Sequence, residues 1–527
     1  MSSAARFVAS ARVNALLTLV SRVMGLVREM VFGYFFSTGE LLSAFRIAFV
    51  IPNLARRLFG EGALSAAVVP VLTQTLRERG EEPSRRFVGA LVTAVTVLLL
   101  GLVVFIEIGV LTWRFFSDDP AVRLTGITLP YMPLICAVAL LGSVLNVRGR
   151  FAAAAATPIL FNVIIIGTTL SAALLAGYEG RQLMDVLCIS VLAGGVAQLV
   201  LVGWDLAAAG FFPRWSTDIR DPQIRAVVTL MAPMFLGLSA VQLNTLCDSV
   251  IAYLFIVVDG ERVGPAVLGY AQFLYQFPLG VFGIGLATAI FPVLSAKAAE
   301  GDRAGLAAAF ERGIRLSLFI ALPASIGLAF VAEPLVAVLY QRGAFTAEDT
   351  RRVAGALVCY CVGMPAYFAQ HVVVRAYYAL RDSRWPARIA LYMVGLNLLL
   401  NLALVGPLQE RGLALATSFC AFVQVAWLCR GLKKHIPEID WRILAGTASR
   451  GAIASAAMLV VLVAVELCPA SIMEMNNRPA FHLLALVIPG VAAYVAAARW
   501  VKIEELDWLL HPDTAKRADV GVLDQST

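Results

Sequence analysis

The side chains of this chain best equipped for chemistry sit where an apolar segment should carry none. Arg22, Arg28, Glu29, Arg46, Arg56, Arg57 and Glu61 interrupt two runs, near residues 13–36 and 44–74, that are otherwise rich in Leu, Val, Ala, Phe, Ile and Met. Both runs are long enough to cross a bilayer, which takes about 20 residues. Each arginine held at mid-membrane costs roughly 2.5 to 3.5 kcal/mol on insertion scales, so several persist only around a hydrated, anion-binding cavity. All five basic residues are arginine, and guanidinium meets phosphate oxygens through paired, charge-assisted hydrogen bonds that ammonium cannot reproduce. That chemistry is recognition of a phosphorylated head group, with Arg22, Arg28, Glu29, Arg46 and Arg56 as the binding set. Arg57 and Glu61 read as gating or structural. Pro52 and Asn53 are expected to break the second span, and Gly25 to allow a bend between Arg22 and Arg28. A plainer reading stays open, in which Glu29 and Glu61 neutralise the arginines in structural ion pairs.

A second constellation follows. Asp248 is an isolated acid in an apolar run, Asn397 and Asn401 lie four apart on one helix face, and Thr417 falls in the next run. One carboxylate with amide and hydroxyl oxygens suits a hard monovalent cation. Polar glue between helices fits the same residues. No other metal site is expected: the eight cysteines lie in or beside apolar runs, where a thiol behaves as a small hydrophobe, and the four histidines have no ligand spacing. No catalytic residue is singled out, because metal-dependent phosphoryl transfer would want clustered carboxylates at the membrane surface and the acids here are dispersed.

Composition explains what must position these residues. Of 527 residues 60% are apolar and 15% charged, against about 25% charged in a soluble domain. The chain reads as an all-α integral membrane protein with about 14 transmembrane helices. The first six spans lie near 13–36, 44–74, 88–113, 124–147, 151–177 and 183–210, and the next six near 226–258, 264–296, 306–332, 351–380, 386–407 and 411–430. Two more lie near 449–468 and 481–500. With both termini cytoplasmic, Lys and Arg favour the inner segments by about three to one. The net charge of +7 is thus topological and implies no nucleic-acid partner. Arg6 and Arg12 before an apolar run suggest a signal peptide, but arginines inside the run and the lack of a small-residue cleavage site favour a retained first helix.

ALSAAVVPVL (Ala63–Leu72) aligns without gaps to GLATAIFPVL (Gly285–Leu294). The offset makes span two an echo of span eight, hence two six-helix lobes related by a pseudo-two-fold axis along the membrane normal, with the substrate site expected between them. The expected division is 1–222 and 223–432 for the lobes, 433–501 for two additional helices and 502–527 for a cytoplasmic tail.

Here the residues carry a family resemblance. SR-x-x-G-x-x-R-E from Ser21, then AF-x-x-x-x-x-IPN-x-x-RR-x-F-x-EG from Ala44, resembles the MurJ (MviN) family of bacterial lipid II flippases in the MOP exporter superfamily. YAQFLYQFPLGVFGIGLATAIFPVLS, YQRGAFTAEDT and RAYYALRDSRWPARIAL continue the likeness over nearly the whole chain. The resemblance implies a V-shaped exporter of the inner membrane, acting in peptidoglycan biosynthesis and cell-shape maintenance. It would flip lipid II, the undecaprenyl-diphosphate-linked precursor, to the periplasmic leaflet by alternating access, as a monomer among membrane lipids and without a cofactor. The family's cavity arginines fall on Arg22, Arg28 and Arg56, and its carboxylate on Glu29. There are departures. Val50 stands where the family has a basic residue, with Arg46 one turn earlier, Ser43 replaces an acid, and Phe273 replaces the arginine of span eight. Some members have a sodium site in the helices of Asp248, Asn397, Asn401 and Thr417. Sodium, protons and the membrane potential alone stay open as driving forces. The last two spans shelter the isoprenoid tail in the family, although simple packing fits their Ala, Val and Leu equally. Export of another polyprenyl-diphosphate-linked oligosaccharide, or of drugs, is the alternative within the superfamily.

Overall fold

The computed structural model describes residues 3–60, 63–218, 221–468 and 479–510. Glu61 and the final dozen residues lie outside them. Backbone in hydrocarbon must satisfy its own hydrogen bonds, and the apolar runs do so as helices. Ten helices among the described residues are long and apolar enough to cross a membrane. Contacts divide the chain into two compact units, the first holding residues up to Ala266 with Arg342–Phe345, the second holding Val267–Gln341 and the chain from Thr346 onward.

The first unit opens with α1 (Ser3–Phe36), which runs as unbroken helix through Gly25, and α2 (Glu40–Ala55). A π-helical turn (Arg56–Gly60) leads towards α3 (Ala63–Arg79). After these come α4 (Glu81–Arg114), α5 (Pro120–Thr128), α6 (Tyr131–Val147), α7 (Ala152–Ala176), α8 (Gly180–Ala208) and α9 (Pro222–Phe255). Strands β1 (Val257–Val258) and β2 (Glu261–Arg262) close an antiparallel hairpin that pairs Val257 with Arg262.

The predicted break at Pro52 and Asn53 falls later. Helix α2 continues through Pro52 to Ala55, and the irregular backbone begins at Arg56. Proline removes the N–H that would bond the carbonyl four residues back. That carbonyl, on Ala48, is met instead by the buried Thr128 hydroxyl at 3.5 Å, which also donates to Leu124 O at 3.0 Å. A π turn downstream then takes up the extra residue. Predicted span four is likewise two pieces, α5 and α6, parted at Leu129–Pro130.

An aromatic ladder binds α1, α2, α6 and α7. Its rings are Phe32, Phe45, Phe49, Tyr131 and Phe161, with successive centroids 5.4 to 5.8 Å apart. Gly194 and Gly195 of α8 let Phe161 and Tyr131 approach: a Cβ at either would come within 2.8 Å of a ring carbon. Small residues serve this purpose in membrane helices generally. At the end of α1, Ala344 N–H donates to the Tyr34 carbonyl at 2.8 Å. Gly343 beside it has φ +60°, and a Cβ there would lie 2.5 Å from that carbonyl oxygen.

The second unit contains α10 (Gly264–Pro278) from Val267, a π turn (Leu279–Gly283), α11 (Ile284–Glu300), α12 (Arg303–Phe330), α13 (Ala332–Tyr340) and α14 (Ala347–Ala379). It ends with α15 (Arg384–His435), α16 (Trp441–Glu466), α17 (Pro479–Trp500) and α18 (Glu504–Leu510). Helix α15 is two helices meeting at Gln409, whose φ of 50° is non-helical. Arg352 fixes the break by donating to Gln409 Oε1 at 3.0 Å and Glu410 Oε2 at 2.8 Å. Helix α18 docks on α12 through Arg315, which pairs with Glu504 at 2.7 Å and with buried Glu505 at 2.5 Å.

Candidate functional site

Glu29 is the centre of the polar structure in the first unit. Its Oε1 accepts from Arg28 Nη2 at 2.9 Å and its Oε2 from Arg46 Nη2 at 2.6 Å. The acid side chain is 4% exposed, against 25% for Arg28 and 20% for Arg46. Adjacent residues on a helix point about 100° apart, so the pairing with Arg28 relies on the arginine's length. Arg46 comes from α2, with the edge-to-face Phe32 and Phe45 rings joining the two helices.

Arg28 has a further anchor that the sequence reading missed. Its Nη1 donates to Oδ1 of Asn162 on α7 at 3.1 Å, and its Cζ lies 5.6 Å from the Phe32 ring centroid. Asn162 is 5% exposed and follows ladder residue Phe161. The available signal was a lone amide in an apolar run, FNVIII, where a side-chain partner on another helix is the usual reason for its presence. Arg56 is held within its own turn, donating from Nε and Nη2 to Asn53 Oδ1 at 3.1 and 2.9 Å. Arg22 differs: half-buried, two turns before Arg28, it has no hydrogen-bond or ion-pair partner among the described residues. Arg57 is half-buried, Pro52 is buried inside α2, and Glu61 is not described.

Geometry therefore sorts the arginines. Arg28 and Arg46 share one carboxylate, Arg56 is steadied by a neutral amide, and Arg22 is left open. Two guanidinium groups on one carboxylate leave a net positive charge, and a charge kept partly from water attracts anions more strongly than it would in bulk solvent.

The other constellation divides between the units. Asp248, half-buried on α9 in the first, accepts from Asn244 Nδ2 at 3.1 Å. In the second, buried Asn401 donates to Asn397 Oδ1 at 2.9 Å, Asn397 donates towards Thr417 Oγ1 at 3.5 Å, and Thr417 donates to Leu413 O at 2.9 Å. Asn397 Oδ1 is thus engaged by Asn401 through one of its two lone pairs. Among the described residues no group of three His, Cys, Asp or Glu is placed to hold a metal.

Comparison with known proteins gives one consistent likeness. The family profile described as Lipid II flippase MurJ matches residues 32–487. The chain is similar to a probable lipid II flippase MurJ of Vibrio cholerae, 33% identical over 515 residues, covering 93% of this chain and 95% of that one. A counterpart in Haemophilus influenzae is 32% identical over 443 residues, covering 79% and 84%. Among solved structures, a lipid II flippase MurJ in an inward closed conformation superposes with TM-score 0.76 at 22% identity, covering 95% of this chain and 99% of that one. A multidrug resistance MATE family transporter of the MOP superfamily has TM-score 0.64 at 15% identity, covering 80% and 98%. These two establish the fold alone.

Proposed function

The chain belongs to the lipid II flippase MurJ family, and from that premise we propose that the guanidinium groups of α1 and α2 hold the diphosphate of lipid II during transport. It is a multi-pass transporter of the inner membrane that flips lipid II to the periplasmic leaflet by alternating access. The observation that carries the proposed site is the pairing of Arg28 and Arg46 on a single buried carboxylate, with Arg22, six residues earlier on α1, lacking a partner among the described residues. This set is suited to an anion and disfavours a cationic cargo by like-charge repulsion.

Carrying two negative charges outward against an interior-negative potential is favourable by about 4.6 kcal/mol per 100 mV if both cross the full field. We propose that this drives the loaded step, with both termini cytoplasmic and the protein acting as a monomer. A sodium ion or proton resetting the empty carrier through Asp248 is a further part of the proposal. Flipping by Asp248→Asn in proteoliposomes with and without sodium decides the sodium part, since equal sodium dependence in variant and parent removes it. The main reading is tested by translocation of labelled lipid II in proteoliposomes. Transfer of chemically unchanged lipid II across the bilayer is the expected result, and none above protein-free liposomes overturns it.

A further inference from the structure

We propose that Glu29 is a placeholder anion: its carboxylate occupies Arg28 and Arg46 in the empty transporter, yields them to the incoming diphosphate and reclaims them on release. The inference rests on the assignment of lipid II as substrate, and gives Glu29 a role in release rather than in contact with the ligand. Three features of the cluster carry it.

The first is the use of both carboxylate oxygens, one per arginine, at 2.9 and 2.6 Å. A single anion thereby satisfies two cations from different helices. The second is the asymmetry of exposure, with the acid 4% exposed and the guanidinium groups 25% and 20%. A ligand arriving from the hydrated side meets the arginines without first meeting the acid. The third is Asn162, which holds Nη1 of Arg28 at 3.1 Å while Glu29 holds Nη2. Arg28 can exchange its anion at Nη2 and stay anchored at Nη1.

The consequence is energetic. A guanidinium pair stripped of its anion in a partly desolvated site is strongly unfavourable. Without an internal acid, departure of the diphosphate would leave that arrangement, and the product would be held. A carboxylate that returns to both arginines offsets the loss, at the cost of weaker initial binding. Binding and turnover should therefore move in opposite directions when the acid is neutralised.

The experiment compares purified parent protein with Glu29→Gln and Glu29→Asp. Lipid II affinity is measured in detergent, competition by inorganic diphosphate is measured alongside, and multiple-turnover flipping is measured in proteoliposomes. Glu29→Gln should bind lipid II and inorganic diphosphate about tenfold more tightly, the modest end of effects seen for desolvated charge pairs, and flip about tenfold more slowly. Glu29→Asp, one methylene too short to serve both arginines, should shift both readouts the same way by less. If the glutamine variant does not yield folded protein, the aspartate variant decides alone. Unchanged or weaker binding by the folded variant overturns the placeholder role. A parent protein that neither binds nor flips lipid II overturns the substrate assignment instead, so the two failures are distinguishable.

Discussion

Glu40–Arg79 in the first unit and Gly264–Glu300, which enters the second at Val267, share a backbone plan: a helix, a five-residue π turn and a second helix with proline inside it, Pro70 in one and Pro292 in the other. Their side chains differ in kind. Extending the register that aligns Ala63 with Gly285 places Leu268 at Arg46, Pro278 at Arg56 and Leu279 at Arg57. From Gly264 to Glu300 there is no arginine, and Lys297 lies in the last turn of α11. The apolar pattern and prolines that shape the backbone are thus separable from the charges. One copy of the plan carries Arg46, Arg56 and Arg57, and the other carries apolar residues at the same places.

The largest effect should come from setting Arg28→Ala against Leu268→Met. Truncating one partner of a desolvated, hydrogen-bonded charge pair costs about 2–5 kcal/mol, so Arg28→Ala should reduce lipid II flipping in proteoliposomes by about a hundredfold. Leu268→Met conserves volume at the counterpart of Arg46 and should change flipping less than about threefold. Comparable losses in both would break the comparison.

A smaller effect is expected from moving charge along α2. Arg46→Val removes one partner of Glu29 and should slow flipping about tenfold or more. Adding Val50→Arg returns a guanidinium one helical turn away, on a neighbouring part of the same face. Partial recovery in the double variant would show that the charge matters more than its pairing with Glu29. No recovery would show that the contact with Glu29 is required.

The smallest of the three is Asn162→Ala. A lost hydrogen bond to a charged group is worth about 1.5–3 kcal/mol, so KM for lipid II should rise about tenfold with kcat less affected. Asn162 acts through Arg28, and in an Arg28→Ala background its removal should add little. A full additive loss would assign Asn162 a role independent of Arg28.

Much of this was legible in the sequence, for physical reasons. Apolar runs of bilayer length dictate helices, and charges inside them announce a site, which is why Arg22, Arg28, Glu29, Arg46 and Arg56 stood out. The repeat around Pro70 and Pro292 was readable because it is local. Long-range partners were not: Asn162 is 134 positions from Arg28, and whether their helices touch depends on Phe161, Gly194 and the aromatic ladder. The break in span two was placed too early because proline announces a missing N–H and does not say which neighbour takes up the freed carbonyl. Thr128 does so here, and the irregularity moves to Arg56. Of the two readings of the arginines, cavity and ion pair, the second describes Arg28 and Arg46, which are paired through Glu29.

The central claim is that the guanidinium groups of α1 and α2 receive the diphosphate of lipid II. Its most direct test is a structure of the full chain with lipid II bound. The diphosphate should lie at charge-assisted hydrogen-bond distance, about 2.7–2.9 Å, from Arg28 and Arg22, with Arg28 Nη2 turned from Glu29 to a phosphate oxygen. A diphosphate seated elsewhere, with Glu29 still holding both arginines, would contradict it.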